Sequence, residues 1–457
     1  MAKANSLQAG GVQSELGQRL LFLFIAIVIY RIGTFIPIPG ISLTEVQNLI
    51  NSGDAGNVSA FANLFSGGAI KRMSIFALGV MPYISASIVM QLLSHMPGKL
   101  KELKNSGSIG RKKITQYTRY LAFAVALFQG IAMCLAFRSA ALYSGPAFWL
   151  IGGFTFATGA MFLMWLGEQI NERGIGNGIS MLIMAGIVAS MPRVFAGLIS
   201  SAKAGDVATP LVLAIFAIIL ALFVIIVYME TAQRRIPIHY ARQQAGMALG
   251  QNTPYLPLKV NLAGVIPVIF ASAIMILLAT IFSFLSNVSW FSTSLGDSPD
   301  LGVVATVLQS FGRYMNLVAT HLQSGQPVYI IIFGLLIVGF AFFYTGLVFE
   351  NKELADDLKK SGAFIQGVRP GKVTAEYIDN VQNRLTLVGA LYVAAVVIVP
   401  EVFNMNSSNQ VLLQFGGASI LIIVVVAMDF VQKVQSMRMS SQYESLMKKS
   451  HLGRRRK

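Results

Sequence analysis

Apolar stretches long enough to cross a bilayer recur along almost the whole chain. A membrane-spanning helix needs about 20 mostly apolar residues, and ten segments meet that requirement. All ten are predicted to be helices, because a helix satisfies its own backbone hydrogen bonds in lipid. The predicted spans are, in order, Leu20–Ile38, Ile75–Leu93, Tyr117–Phe137, Phe148–Leu166, Ile179–Ile199, Leu211–Met229, Leu262–Leu285, Val328–Phe349, Leu385–Phe403 and Val411–Val431.

Charged residues are too scarce for a soluble protein of this length. They make up 12% of the 457 residues, and hydrophobic residues make up 55%, whereas about 25% charged is usual in soluble domains. The sequence therefore predicts a multi-span membrane protein. Span one is not expected to be a cleaved signal peptide, because it is too long and carries Arg31.

The distribution of basic residues predicts the orientation of the spans. Lys and Arg number 27 on the side that holds the N-terminus, loops 2/3, 4/5, 6/7 and 8/9 and the C-terminal tail, and 6 in the opposite loops. Basic residues collect on cytoplasmic loops. Both termini are therefore predicted to be cytoplasmic.

An internal repeat relates the two halves of the chain. The segment Gly79–Leu93 of span two and the segment Gly264–Leu278 of span seven are identical at nine of fifteen positions. A shorter sequence match relates Gly178–Ile183 of span five to Gly417–Ile422 of span ten. Together the two matches indicate two halves of five helices each.

Five is an odd number, so the second half begins on the opposite side of the membrane and is inverted. Inverted repeats place the functional path where the halves meet, near the membrane midplane. We expect an all-α clamshell of ten helices around a central pore. Its predicted parts are a cytoplasmic N-terminus (1–19), a first half (20–204), a second half (205–431) with cytoplasmic loops 231–261 and 350–384, and a cytoplasmic tail (432–457).

The predicted spans carry few charges. Arg31, Arg119, Arg193, Glu168 and Asp429 lie near span ends, where snorkelling toward the interface is the simplest interpretation. A secondary transporter of the inverted-repeat type would need a polar midplane site, and a membrane-embedded enzyme would need a nucleophile–base pair or metal ligands. Neither pattern is visible, and the sequence predicts no metal site and no cofactor.

An uncharged path can still work as a channel, because a narrow collar of aliphatic side chains excludes water by dewetting. The isoleucines matched between the halves, Ile84 with Ile269 and Ile183 with Ile422, are candidates for this collar. Lipid-facing or core positions remain the alternative for any single isoleucine of a span.

Loop 1/2 contains an apolar island that is too short to span a bilayer, Phe61 to Ile70, with Gly67 and Gly68 as a possible hinge. It could be an interfacial helix, a re-entrant segment or a stopper in the path. The pattern alone favours the interfacial helix.

The long loops 6/7 and 8/9 are basic and proline-containing, which predicts a docking platform for an acidic or RNA-rich partner. The basic C-terminal residues fit a contact with anionic membrane lipids. No phosphate-binding loop is present, so direct nucleotide binding is not expected and a partner must supply the energy.

The chain resembles the SecY family of bacterial protein-export channels over essentially its whole length. Four segments carry the resemblance. They are Gly79–Ile88, Gly167–Ser180, Lys359–Gly371 and Ser440–Ser445. The resemblance implies a channel, not an enzyme, that passes unfolded polypeptides across the plasma (inner) membrane and releases transmembrane segments laterally. It also implies SecE and SecG subunits, the SecA motor, the ribosome, and signal peptides and nascent chains as partners.

The resemblance assigns roles to particular residues of this chain. The implied pore ring consists of Val80, Ile84, Ile179, Ile183, Ile269 and Ile422. The implied plug covers residues 61–71, including Phe61, Leu64, Phe65, Gly67, Gly68 and Ile70. The implied docking residues for motor and ribosome are Arg234, Arg235, Arg242, Arg369 and Tyr443. Loop 6/7 departs from the family pattern at Ala245-Gly246-Met247.

Overall fold

Each of the ten predicted apolar segments falls on a helix in the computed structural model of the chain. The structure describes residues 2–51, 66–143, 145–205, 209–240, 254–295, 302–322, 325–349, 351–405 and 416–454. The helices of spans one to ten are Ala2–Gly33, Met81–His95, Ser108–Ala136, Pro146–Arg173, Gly178–Ala204, Thr209–Thr231, Ile266–Leu295, Pro327–Val348, Lys372–Met405 and Gly417–Arg454.

Span two is shorter than its apolar sequence predicts. Its helix has 15 residues and begins at Met81, not at Ile75, and at about 1.5 Å per residue it falls short of a hydrocarbon core about 30 Å thick. Residues 75–80 form turns instead. Of the helices in the described residues, nine are long and apolar enough to cross a membrane, and span two is not among them.

The repeated sequence builds the same turn in both halves. Gly79 and Gly264 have φ angles of 57° and 61°, in the left-handed region that glycine adopts without steric cost. Each glycine stands two residues before the first residue of its helix, Met81 or Ile266. The prolines of the repeat then occupy the second helical position, where no backbone donor is lost.

The chain before each turn is held in the same way. The Ile75 amide donates to the Ile36 carbonyl just after span one (3.0 Å), and the Val260 amide donates to the Ala232 carbonyl just after span six (3.0 Å). Each half therefore ties the entry of its second helix to the exit of its first.

Glycines in the later helices of each half admit a main-chain carbonyl. A Cβ atom at Gly159 of span four would lie 2.0 Å from the Ile75 oxygen, and one at Gly389 of span nine would lie 2.8 Å from the Val260 oxygen. Glycines also begin spans five and ten, where a Cβ atom would lie 2.0 Å from the Gly167 oxygen at Gly178 and 2.1 Å from the Val396 oxygen at Gly417. These contacts repeat the two-half arrangement in three dimensions.

The halves meet along their repeated helices. Span two packs against span seven, span three also contacts span seven, and span five packs against span ten. The large hydrophobic cluster of the molecule runs through these contacts.

The long loops form a sheet that the sequence analysis did not predict. Strands β1 (Gln233–Tyr240) and β2 (Tyr255–Lys259) of loop 6/7 pair antiparallel, and β3 (Ala363–Ile365) of loop 8/9 pairs with the other edge of β1. Buried Ile236 and Ile238 alternate with exposed residues along β1, the period of a half-buried strand. We call β1–β3 the loop sheet.

Two further loop helices flank the spans. Gly302–His321 lies in loop 7/8 and Asn351–Lys360 in loop 8/9, and the sequence analysis predicted neither. Shorter helices, Leu43–Asn51 and Lys99–Asn105, occupy loops 1/2 and 2/3.

Replacement of Gly417 by alanine is expected to destabilise the protein. The new Cβ atom would overlap the Val396 oxygen of span nine, and overpacking of this kind costs about 1–3 kcal/mol. Gly339→Ala is the matched control, because no atom lies within 4 Å of that position in span eight. Thermal unfolding in detergent should show a lower midpoint for Gly417→Ala alone, and equal midpoints for the two variants would contradict the packing argument.

Candidate functional site

The six residues of the implied pore ring belong to one hydrophobic cluster. Five of them are buried in it, and Ile179 is half-buried and packs against it. They come from four helices of both halves, spans two, five, seven and ten. The cluster therefore lies where the two halves meet.

The ring residues of spans two and seven lie at the starts of their helices. Val80 is the cap of span two, and Ile84 follows one turn later, donating its amide to the Val80 carbonyl (3.1 Å). Ile269 has the equivalent place in span seven and donates to the Val265 carbonyl (3.2 Å). The glycine turns thus determine where these side chains sit.

Buried acidic side chains lie near helix ends. Among the described residues the buried acidic residues are Glu230 and Glu401, each near an end of its helix. The sequence analysis singled out neither, because a single acidic residue near a span end resembles an ordinary loop residue.

Arg119 and Glu168 pair with each other, which corrects the expectation that each snorkels to the interface. The Arg119 guanidinium of span three donates two hydrogen bonds to the Glu168 carboxylate of span four, at 2.7 and 3.2 Å. Bidentate pairs of this kind combine charge neutralisation with fixed geometry. The pair joins two helices of the first half.

The end of the apolar island in loop 1/2 is buried. Residues 66–70 are all buried, with Ala69 0% exposed, which disagrees with an interfacial helix at this end of the island. A Cβ atom at Gly67 (φ 66°) would lie 3.1 Å from the Gly186 Cα of span five. Phe61, Leu64 and Phe65 lie outside the described residues.

Two arginines hold this buried turn. Arg31 of span one donates to the Gly67 carbonyl at 2.9 Å, and Arg72 donates to the same carbonyl at 3.4 Å and to the Thr34 carbonyl at 3.0 Å. Both guanidinium groups also lie over the Phe35 ring, 4.8 and 4.1 Å from its centroid. Arg31 therefore anchors the turn, and the simple snorkelling interpretation is wrong for it.

Further positive charge lies beside this turn. A Cβ atom at Gly68 would be 3.6 Å from the Arg193 guanidinium of span five. Burial lowers the pKa of Lys71, and the neighbouring charge of Arg193 lowers it further. We call Ser66–Ile70 with its arginines the anchored turn.

The implied docking residues are only partly described. Arg234 and Arg235 are exposed on β1, and the Arg235 guanidinium lies 4.8 Å from the Tyr255 ring centroid on β2. Arg369 is exposed shortly after β3, and its carbonyl accepts from the Thr374 hydroxyl at 2.8 Å. Arg242 lies outside the described residues, as does the side chain of Tyr443, whose backbone belongs to the helix of span ten.

The replacement Arg72→Met is expected to loosen the anchored turn. It removes hydrogen bonds to two carbonyls, and a bond that involves a charged group contributes about 1.5–3 kcal/mol. Amide hydrogen exchange of residues 66–70, followed by mass spectrometry, should become about tenfold faster or more, as expected from a loss of about 1.4 kcal/mol or more. Arg173→Met, at an exposed position after span four, should leave this exchange unchanged. Unaltered exchange in Arg72→Met would exclude the anchoring role.

Fold and site together define a class of protein. The chain is a multi-pass helical membrane protein in which two inverted five-helix halves meet at an apolar cluster, with an anchored turn beside it and a basic sheet outside the spans.

Comparisons with known proteins identify the family. The SecY family matches residues 74–431. The chain is 45% identical to protein translocase subunit SecY of Escherichia coli (strain K12), covering 99% of each chain, and 47% identical to its counterpart in Pseudomonas aeruginosa, covering 99% of this chain and 98% of the other. The chain belongs to the SecY family, which confirms the resemblance noted in the sequence.

Solved structures share the fold at low sequence identity. A protein-conducting channel aligns with a TM-score of 0.62 and 18% identity, and Sec61 of a canine ribosome–channel complex aligns with a TM-score of 0.58 and 17% identity. Each alignment covers 93% of both chains. The ten-helix clamshell expected from the sequence is thereby confirmed.

Proposed function

We propose that this chain is the protein-conducting channel of a bacterial translocase and not an enzyme. It passes unfolded secretory polypeptides across the plasma membrane and releases transmembrane segments laterally into the bilayer. The observation that carries the proposal is the full-length identity to proteins named as translocase subunits. The apolar cluster between the halves supplies the physical basis for a path that threads a chain.

The ring residues act in this proposal as a collar. Aliphatic side chains around a narrow waist exclude water and ions when the channel is idle. They also yield to a passing polypeptide, because they make no fixed hydrogen bonds with it. Burial of Ile84, Ile183, Ile269 and Ile422 in one cluster supports this role.

The replacements Ile84→Asn and Ile269→Asn are expected to wet the collar. An amide side chain in the waist attracts water and removes the dewetting barrier, so the resting channel should conduct ions more often. Single-channel recordings in planar bilayers measure this directly. Ile331→Asn, at a 62% exposed position of span eight that faces away from the cluster, is the control. Resting conductance equal to that of the unmodified protein would contradict the collar assignment.

The island in loop 1/2 is proposed to be the plug, with the anchored turn as its root. Burial of Gly67 and Gly68 against span five and the two arginine contacts support a fixed root. One solved structure of the same fold describes a SecY protein whose plug domain stabilises the closed state of the translocation channel.

The loop sheet is proposed to be the cytoplasmic docking platform. It joins loops 6/7 and 8/9 into one body and displays Arg234, Arg235 and Arg369 at exposed positions. Positive charge of this kind attracts acidic protein surfaces and RNA. Ribosome-bound channels, canine Sec61 and yeast Ssh1, share the fold, and this supports the ribosome as a partner beside the SecA motor.

The remaining assignments follow from charge and family. The excess of basic residues in loops 2/3, 6/7 and 8/9 supports cytoplasmic termini and a location in the inner membrane. SecE and SecG are proposed as companion subunits, signal peptides and nascent chains as cargo, and anionic lipids as contacts of the basic tail. A signal segment of about 7–15 apolar residues leaves the path sideways because it prefers hydrocarbon to water.

The charge reversal Arg369→Glu is expected to reduce motor-driven transport about tenfold or more, because like charges placed against an acidic partner cost several kcal/mol. Assembly of the channel should persist, since the side chain is exposed. Transport of a secretory protein into reconstituted vesicles, scored by protection from protease, measures the effect. Lys203→Glu, at an exposed position in the last turn of span five and on the opposite side of the membrane, is the matched control. Equal transport by both variants would reject the docking role.

A further inference from the structure

The two glycine turns that precede spans two and seven are alike in backbone but are fastened differently. In the first half the Gly79 amide donates to the Phe76 carbonyl at 2.9 Å, and the Ser74 hydroxyl accepts from the Phe76 amide at 3.3 Å. In the second half the side chain of Asn261 fastens the turn. Asn261 occupies the place that Phe76 has in the first half, three residues before the glycine.

Asn261 clamps the second turn from both sides. Its Oδ1 accepts from the Gly264 amide at 3.1 Å, and its Nδ2 donates to the Gly264 carbonyl at 3.3 Å. The same Nδ2 donates to Glu230 Oε1 at 2.5 Å. Asn261 is 4% exposed and Glu230 is 6% exposed. A buried network whose members are satisfied in this way is rigid, since breaking one bond leaves an unpaired polar group.

The hydrogen-bonded group of Asn261, Gly264 and Glu230, which we call the clamp, lies between the loop sheet and the hydrophobic cluster that contains the ring residues. Glu230 stands near the end of span six, which leads directly into β1, and Asn261 follows directly after β2. Lys259, the last residue of β2, also donates to Gln432 of span ten at 3.5 Å. A displacement of the sheet therefore reaches Asn261 over a few bonded atoms.

On its other side the clamp is followed directly by span seven, which carries the ring residue Ile269. Gly264 starts the turn into span seven, and Ile269 sits in the first turn of that helix. The Gly389 backbone of span nine packs against the Val260 carbonyl and the Asn261 Cα, where a Cβ atom would be 2.8 and 3.3 Å away. Span nine therefore packs closely against the chain on the side of Val260 and Asn261.

We infer that Asn261 is a positioning residue through which a partner bound to the loop sheet moves the start of span seven and, with it, Ile269 of the collar. The inference rests on the proposed function and adds how docking opens the channel. In the described residues of the first half, the turn is fastened by the Gly79–Phe76 main-chain bond and by the Ser74 hydroxyl, close to span one. The inference therefore assigns the coupling to the second half, whose turn is joined to the loop sheet.

A double-mutant cycle between Asn261→Ala and Arg369→Glu tests the inference. Each single variant is expected to slow motor-driven transport into vesicles by about tenfold, within the range of couplings between linked sites. If both act on the same route, the double variant should also be slower by about tenfold. Independent effects would multiply to about a hundredfold, and that result would overturn the inference.

Binding and resting conductance separate positioning from a loss of structure. Asn261→Ala should bind the SecA motor as tightly as the unmodified channel and should conduct no more ions at rest, whereas Arg369→Glu should bind it more weakly. Glu230→Gln keeps an acceptor for Asn261 and should transport at the unmodified rate. Weakened motor binding or a leaky resting channel in Asn261→Ala would reject a positioning role.

Two further variants complete the design. Ser74→Ala loosens the corresponding turn of the first half, and its effect should multiply with that of Arg369→Glu; a non-multiplying effect would contradict the asymmetry. Should Asn261→Ala fail to assemble, Asn261→Ser serves in its place, because the shorter side chain keeps a polar group near Gly264 and is too short to reach Glu230. Failure of the unmodified channel to transport would instead refute the proposed function itself.

Discussion

Close contact between a main-chain carbonyl and a helix glycine is the constraint on which the rest of this structure depends. Gly159 receives the Ile75 carbonyl and Gly389 receives the Val260 carbonyl, and a side chain at either position would overlap that oxygen. These contacts hold the chain just before the two glycine turns. Because the turns determine where spans two and seven begin, they also determine where Ile84 and Ile269 lie. Van der Waals packing of small residues is the main attraction available between helices in lipid.

Charged groups in this protein are placed where they can be neutralised or hydrogen-bonded. Arg119 pairs with Glu168 between spans three and four, and Arg31 donates to a carbonyl of the anchored turn. Glu230 accepts from Asn261 near the end of span six. An ionised group in hydrocarbon is costly without such partners. Each of these charged groups therefore has a hydrogen-bonding partner that offsets part of the cost of its burial.

The inverted halves share the backbone of their glycine turns and differ in the contacts outside the spans. In the first half the contact after span one is an isolated bridge, Pro37 with Ser74. In the second half the equivalent contact extends into the loop sheet, which loop 8/9 completes with β3. Inversion places these two extensions on opposite sides of the membrane. A partner on one side of the membrane can therefore reach only one of these two extensions.

The sequence by itself determined the spans, their number and the two-half repeat, because lipid demands long apolar helices and a repeat leaves matching residues such as Pro82 and Pro267. Only the tertiary structure decided the short helix of span two, the loop sheet, the pairing of Arg119 with Glu168 and the clamp at Asn261. Each of these depends on atoms far apart in the chain. Hydropathy reports the solvent that a segment prefers, and it carries no information about which distant carbonyl or carboxylate a residue will meet.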